Sequence, residues 1–172
     1  LRYGPDGATG WLRRYDGSGD TTSIPSAIAV DSAGCCYVTG KTWLGATRYD
    51  WMTVKHDTGG AVEWAACYDG GLNENDEPRA IAAMPGGGCV VTGAAFGPTG
   101  NRDYTTIRYD AAGDTLWVRW LGGSAGQGDD ATALAVDSFG NVFVTGSSPG
   151  TGTNQDIVTV KYGPDGTRLW SD

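Results

Sequence analysis

His56 is the only imidazole in the chain, and Cys35, Cys36, Cys67 and Cys89 are its only thiols. A serine or cysteine nucleophile needs a base beside it. His56 stands where Tyr3, Tyr109 and Tyr162 stand in equivalent segments, so it reads as a substituted core aromatic. The four cysteines fit no CxxC or Cys/His zinc spacing. They are either disulfide partners of an oxidising compartment, with three pairings open, or small buried apolar groups. Carboxylates are plentiful, with 20 Asp and Glu, but nothing in their spacing selects a pair for glycoside hydrolysis. Asp16-Gly17-Ser18-Gly19-Asp20 invites a calcium reading, because hard cations take clustered carboxylates and carbonyls. It lacks the sixth-position Gly and closing Glu of an EF-hand loop, and Asx-type turn chemistry explains it as well. The expectation is a non-enzyme with no catalytic residue, no metal site and no cofactor, calcium being the one cation considered.

Composition narrows the partners. The chain has 172 residues, 29 of them Gly and 7 Trp, and 12 Lys and Arg face 20 acids for a net charge of -8. That balance opposes binding to a phosphate backbone, so nucleic acid is not an expected partner. No apolar run approaches the roughly 18 residues of a membrane span, and the N-terminus lacks a signal-peptide core. A chain that opens on Leu1 is expected to be a processed product or a piece of something longer.

What positions these side chains is a repeat. Val-Thr-Gly occurs at 38–40, 91–93 and 144–146, with both intervals 53. Trp11, Trp64, Trp117 and Trp170 keep the same step, as do Gly7, Gly60, Gly113 and Gly166, and Asp50, Asp103 and Asp156. Arg2, Lys55, Arg108 and Lys161 follow it with a conserved charge sign. A fixed period of this size signals a repeat architecture.

Each unit carries short runs of β-branched and aromatic residues bounded by Gly, Asp, Pro and Asn. The first full unit predicts strands over 27–31, 35–40, 50–56 and 61–68, with tight glycine turns between the first two and the last two. No 3.6-residue apolar stripe predicts a helix. Four antiparallel strands in a unit of this length predict a β-propeller blade, buried on both faces by its neighbours. The expected fold is all-β, with a half-blade remnant at 1–15 and blades at 16–68, 69–121 and 122–172. Three blades do not close a ring, so more blades of the same protein or an association of copies is expected. In the second unit Met84-Pro85-Gly86-Gly87-Gly88 replaces the Asp-Ser-x-Gly turn and predicts an irregular edge.

The unit running from Ala131-Thr132-Ala133-Leu134-Ala135-Val136-Asp137-Ser138-Phe139-Gly140 through Val144-Thr145-Gly146 to Leu169-Trp170 resembles the SBBP family of β-propeller repeats. Its inner strands are also similar to NHL-type repeats, and the Asp165-Gly166…Leu169-Trp170 ending to quinoprotein propellers. All three resemblances imply a propeller.

Strand order then places the long connections on one face: 41–49, 94–102 and 147–155 with 16–26, 69–79 and 122–132. Long loops on a rigid scaffold are where binding residues concentrate. The candidates there are Trp43, Arg48, Tyr49, Asp76, Phe96, Asn101, Asp129 and Asn154. Trp11, Trp64, Trp117 and Trp170, with Asp50, Asp103 and Asp156, recur in register and read as structural, the indoles filling the seams between blades. The expected function is an extracytoplasmic scaffold or protein-interaction module of a larger surface or secreted protein. The alternative is a carbohydrate-binding or carbohydrate-cleaving propeller that uses the long-loop face.

Overall fold

The structure, a computed structural model, describes residues 1–16, 22–45, 48–72, 74–97, 100–122, 128–150 and 154–172. None of these is helical. The strands are β1 (Arg2–Tyr3) and β2 (Thr9–Trp11); β3 (Ser23–Val30), β4 (Cys36–Trp43), β5 (Tyr49–His56) and β6 (Val62–Tyr68); β7 (Glu77–Ala83), β8 (Cys89–Phe96), β9 (Arg102–Tyr109) and β10 (Thr115–Leu121); and β11 (Asp130–Val136), β12 (Val142–Pro149), β13 (Gln155–Tyr162) and β14 (Arg168–Ser171). Each set of four forms one antiparallel sheet in sequence order, and β1 pairs with β2 alone. The chain is thus all-β, with four-stranded blades.

The Val-Thr-Gly marker sits at the centre of each sheet for two reasons. The hydroxyls of Thr39 and Thr53, Thr92 and Thr106, and Thr145 and Thr159 meet across the second and third strands at 3.3, 3.0 and 3.0 Å. The following glycine lies against a register shift in the first strand, between Pro25 and Ala27, Pro78 and Ala80, and Ala131 and Ala133. A Cβ at Gly40, Gly93 or Gly146 would overlap the carbonyl oxygen of Ile24, Glu77 or Asp130.

Apolar side chains fill the two seams between full sheets. Tyr37, Trp51, Ile81, Val91, Ile107 and Tyr109 form the first cluster. Met84, Val90, Tyr104, Trp117, Val142 and Val160 belong to the second. The middle sheet is covered on both sides, and seven of the eight residues of β8 are buried. The outer sheets each keep one open face: Ile28 is 65% exposed on β3 and Ile157 85% exposed on β13. Between the β1–β2 hairpin and the first full sheet lies a cleft of about 530 Å³, lined by Trp11, Ile24, Ile28, Val38, Met52 and Val54 among others. Two strands cover only part of a face that a four-stranded neighbour covers elsewhere.

The turn at Met84–Gly88 keeps the closing hydrogen bonds of its counterparts but not their backbone shape, so the irregularity expected there is confined to the turn. Met84 N donates to Gly88 O at 3.0 Å and Gly87 N to Met84 O at 3.1 Å, as Asp31 N does to Cys35 O and Gly34 N to Asp31 O. In the other units the Asp31 or Asp137 carboxylate also accepts two turn amides. Met84 has no such acceptor, and three consecutive glycines at φ of +83, +98 and +77° shape the turn instead.

Candidate functional site

The loops of the long-loop face are shorter than the sequence predicts, because the strands run on into them. Trp43 is the last residue of β4 and pairs with Tyr49, so it sits on a strand end and not within a loop. Phe96 likewise pairs with Arg102, and Pro149 with Gln155. Extending the ladder satisfies backbone groups that a loop would leave to solvent.

Three of the predicted residues come together at the first sheet. The Trp43 ring meets Tyr49 edge-on at 5.3 Å between centroids. Lys41 Nζ lies 5.1 Å above the Tyr49 ring. Tyr49 N donates to Asn75 Oδ1 at 3.2 Å, and Arg48 pairs with Glu74 at 3.4 Å. Trp43 remains 41% exposed, so this aromatic corner presents a ring face held by strand pairing with a charged pair nearby.

The predicted acids are held differently, Asp76 against Tyr49 by its backbone and Asp129 against Arg102. Asp76 and Asp129 are each 1% exposed, inside the connections between sheets. Asp76 Oδ2 accepts Gly70 N at 2.7 Å and its Oδ1 accepts Phe96 N at 2.9 Å, while its own N–H donates to Tyr49 O. Asp129 N makes the equivalent bond to Arg102 O. The Asp76 contacts tie the first connection to the sheets on both sides, and Asp129 ties the second to β9. Asp50 is buried beside Asp76, and Asp103 is buried in the next unit, whereas Asp156 is exposed on β13. Carboxylate oxygens of Asp50, Asp69 and Asp76 fall within 4.8 Å of one another, a spacing a hard cation would accept. In the next unit Gly122 takes the place of Asp69, so that trio belongs to the first connection only. Burial, with the neighbouring Asp69 and Asp50 charges, raises the Asp76 carboxyl to about 6, and the two amides that bond it act in the other direction.

Asn101 accepts Gly97 N through its backbone carbonyl at 3.2 Å, and Asn154 is exposed next to the third sheet. They do not join the Trp43 corner. Asp20 of the Asp16–Asp20 segment, together with Asn73 and Gln127, lies outside the described residues.

An ionic network that the period did not single out crosses the same face. Glu77 on β7 accepts Lys41 Nζ of β4 at 2.8 Å and Arg102 of β9 at 2.8 Å. Arg79 links Glu77 at 2.9 Å to Asp130 of β11 at 3.1 Å. One carboxylate thereby joins the first and second sheets, and Arg79 carries the link to the third. The Lys41 hydrogen bond, with Arg102 adding to it, holds the Glu77 carboxyl down at about 2 despite partial burial. The traceable signal is that Glu77 and Asp130 are acids one period apart.

His56 is 7% exposed, with its Nδ1 3.2 Å from Gly60 O and its ring 6.1 Å from Trp11. It has the surroundings of a core aromatic. The four cysteines are not linked to one another, and burial raises the Cys89 thiol to about 12. That shift opposes the thiolate a nucleophile needs. No helix among the described residues is long and apolar enough to cross a membrane.

No curated protein matches the chain. Residues 116–152 match the family model SBBP, a beta-propeller repeat, over a span that runs from β10 through β11 and β12. The matched segment joins two neighbouring blades of an all-β array of four-stranded sheets, and over that segment the chain is similar to the SBBP β-propeller repeat.

Proposed function

We propose that the chain is a non-catalytic, extracytoplasmic scaffold or protein-interaction module of a larger surface or secreted protein or assembly, with the Trp43 corner of the long-loop face as its contact point. The observation that carries this reading is the exposure of Trp43 on a strand end, braced by Tyr49 and with the Arg48–Glu74 pair on the adjoining loops. Trp, Tyr and Arg dominate the energetics of protein interfaces, Trp and Tyr because they bury large rigid areas with few rotamers to fix and Arg because its planar fork makes several hydrogen bonds. The acidic balance of the chain favours a protein or glycan partner over a polyanion.

Retention of partners on immobilised protein, compared between the native chain and Trp43→Ala, tests the reading. Loss of a discrete protein partner with an unchanged melting temperature supports it, and identical retention by both contradicts it. A glycan array is the second arm, because an exposed indole beside a tyrosine also suits the face of a sugar ring. Glycan signal abolished by Trp43→Ala would favour the carbohydrate-binding alternative. Protease accessibility of the protein on intact source cells tests the extracytoplasmic placement.

A further inference from the structure

One contact recurs at every seam. Trp11, Trp64 and Trp117 lie across Gly60, Gly113 and Gly166 of the next sheet, where a Cβ would come within 2.7, 2.7 and 2.8 Å of the indole ring. Each indole N–H donates to the carbonyl two residues before that glycine, in Thr58, Ala111 and Pro164, at 3.1, 3.1 and 3.0 Å. Arg2, Lys55 and Arg108 donate to the same three carbonyls. The aromatic residue before each turn completes the contact: His56, Tyr109 and Tyr162 approach the indoles at 6.1, 5.9 and 5.9 Å and are 7%, 1% and 2% exposed.

A fourth set of the same parts is split between the two ends of the array. Trp170 is 45% exposed, and Lys161 rests 4.9 Å above the Phe143 ring, with no glycine turn beneath them among the described residues. At the other end, nothing lies within 4 Å of a Cβ at Gly7, and Tyr3 is 60% exposed. The turn there, Tyr3-Gly4-Pro5-Asp6-Gly7, is identical in sequence to Tyr162-Gly163-Pro164-Asp165-Gly166, the turn that receives Trp117. The two turns also close alike. Gly4 N donates to Ala8 O at 2.8 Å and Gly7 N to Gly4 O at 2.9 Å, against 2.8 and 2.9 Å in the other, and both final glycines have φ of +79°.

We propose that Trp170 and Lys161 of one copy seat on the Tyr3–Gly7 turn of a second copy, with both donating to the Pro5 carbonyl, so that the chain associates head to tail. The contact is heterologous, since its halves are different surfaces. In the 172-residue chain, three four-stranded sheets and one hairpin give a pair of copies six full blades and two two-stranded positions, within the roughly four to eight blades of closed propellers. For the 172-residue chain by itself, the expected species is a ring of two copies. This inference does not depend on the Trp43 corner, which lies on another face.

Sedimentation and light scattering under reducing conditions test it, with reductant present because Cys67 is exposed. The native chain is expected at twice its 17.9 kDa mass. Trp170→Ala, or Lys161→Glu as a second disruption of the same face, and Tyr3→Glu at the opposite end each return the mass to 17.9 kDa with an unchanged circular dichroism spectrum. Mixing one variant from each face leaves one native contact intact and restores a 1:1 pair. A native chain that stays monomeric overturns the proposal. So do a Tyr3→Glu variant that still doubles its mass alone, which marks an isologous contact, and a mixture that forms no pair.

Discussion

Trp117 on β10 donates its indole N–H to the carbonyl oxygen of Pro164 at 3.0 Å, across the seam between the second and third sheets. Arg108 donates to the same oxygen at 2.8 Å, and the ring of Tyr162 lies 5.9 Å from the indole. Apolar area, a satisfied N–H and a cationic donor to the same acceptor thus act at one point. Recurrence of the arrangement at the other seams explains why Trp, Gly and a basic residue keep the 53-residue step together.

Trp117 is 6% exposed, so Trp117→Ala should cost about 3–5 kcal/mol, the usual range for removing a large core aromatic. Trp117→Phe retains the ring and loses the bond to Pro164, and should cost about 0.5–1.5 kcal/mol from the hydrogen bond, with some packing loss in addition. Urea unfolding of both variants gives the comparison. A Trp117→Phe cost near zero would mean that the N–H contributes nothing.

Asp76 should set an acid-favouring trend in stability. Its folded-state carboxyl titrates near 6, against 3.8 for the ordinary group, so the folded chain holds that proton more tightly than the unfolded one. The contribution is full below about pH 3.8 and is lost as pH rises through about 6. Asp69→Asn removes one of the charges that raise this group and should shrink the slope in that window. Melting temperature against pH for the native chain and the variant reads it directly, and parallel slopes would contradict the assignment.

Glu77 acts in the opposite direction. Its carboxyl is held near 2, against 4.5 ordinarily, so its ion pairs stabilise the fold above about pH 4.5 and fail as pH falls towards 2. Glu77→Gln should cost about 1.5–3 kcal/mol near neutrality, the range for hydrogen bonds to a charged group. The same variant should lose less stability than the native chain on acidification below about pH 4.5, which denaturant unfolding at several pH values measures.

The sheets were legible in the sequence because each marker has a local physical cause that repeats. Gly40 meets the first strand's bulge, Thr39 bonds Thr53, and Asp31 accepts its own turn amides. The Glu77 network was not legible, because its basic members occupy positions the period does not share. Lys41 is replaced by Ala94 and Ser147 one and two units on, Arg79 by Thr132 and Arg102 by Gln155. The three-carboxylate cluster escaped for the same reason, since Asp69 becomes Gly122. Trp43 was found as a residue but misplaced, because side-chain pattern does not show how far a ladder continues past its apolar core. The burial of Asp76 and Asp129 depends on contacts between sheets, which alternation along one strand cannot report.

Exchange of the indole N–H protons, followed by nuclear magnetic resonance on the ¹⁵N-labelled chain, tests the seam contact most directly. Trp64 and Trp117 should exchange far more slowly than a solvated indole at any protein concentration, while Trp170 should gain protection as concentration rises. Exchange at Trp117 as fast as in free tryptophan would contradict the account.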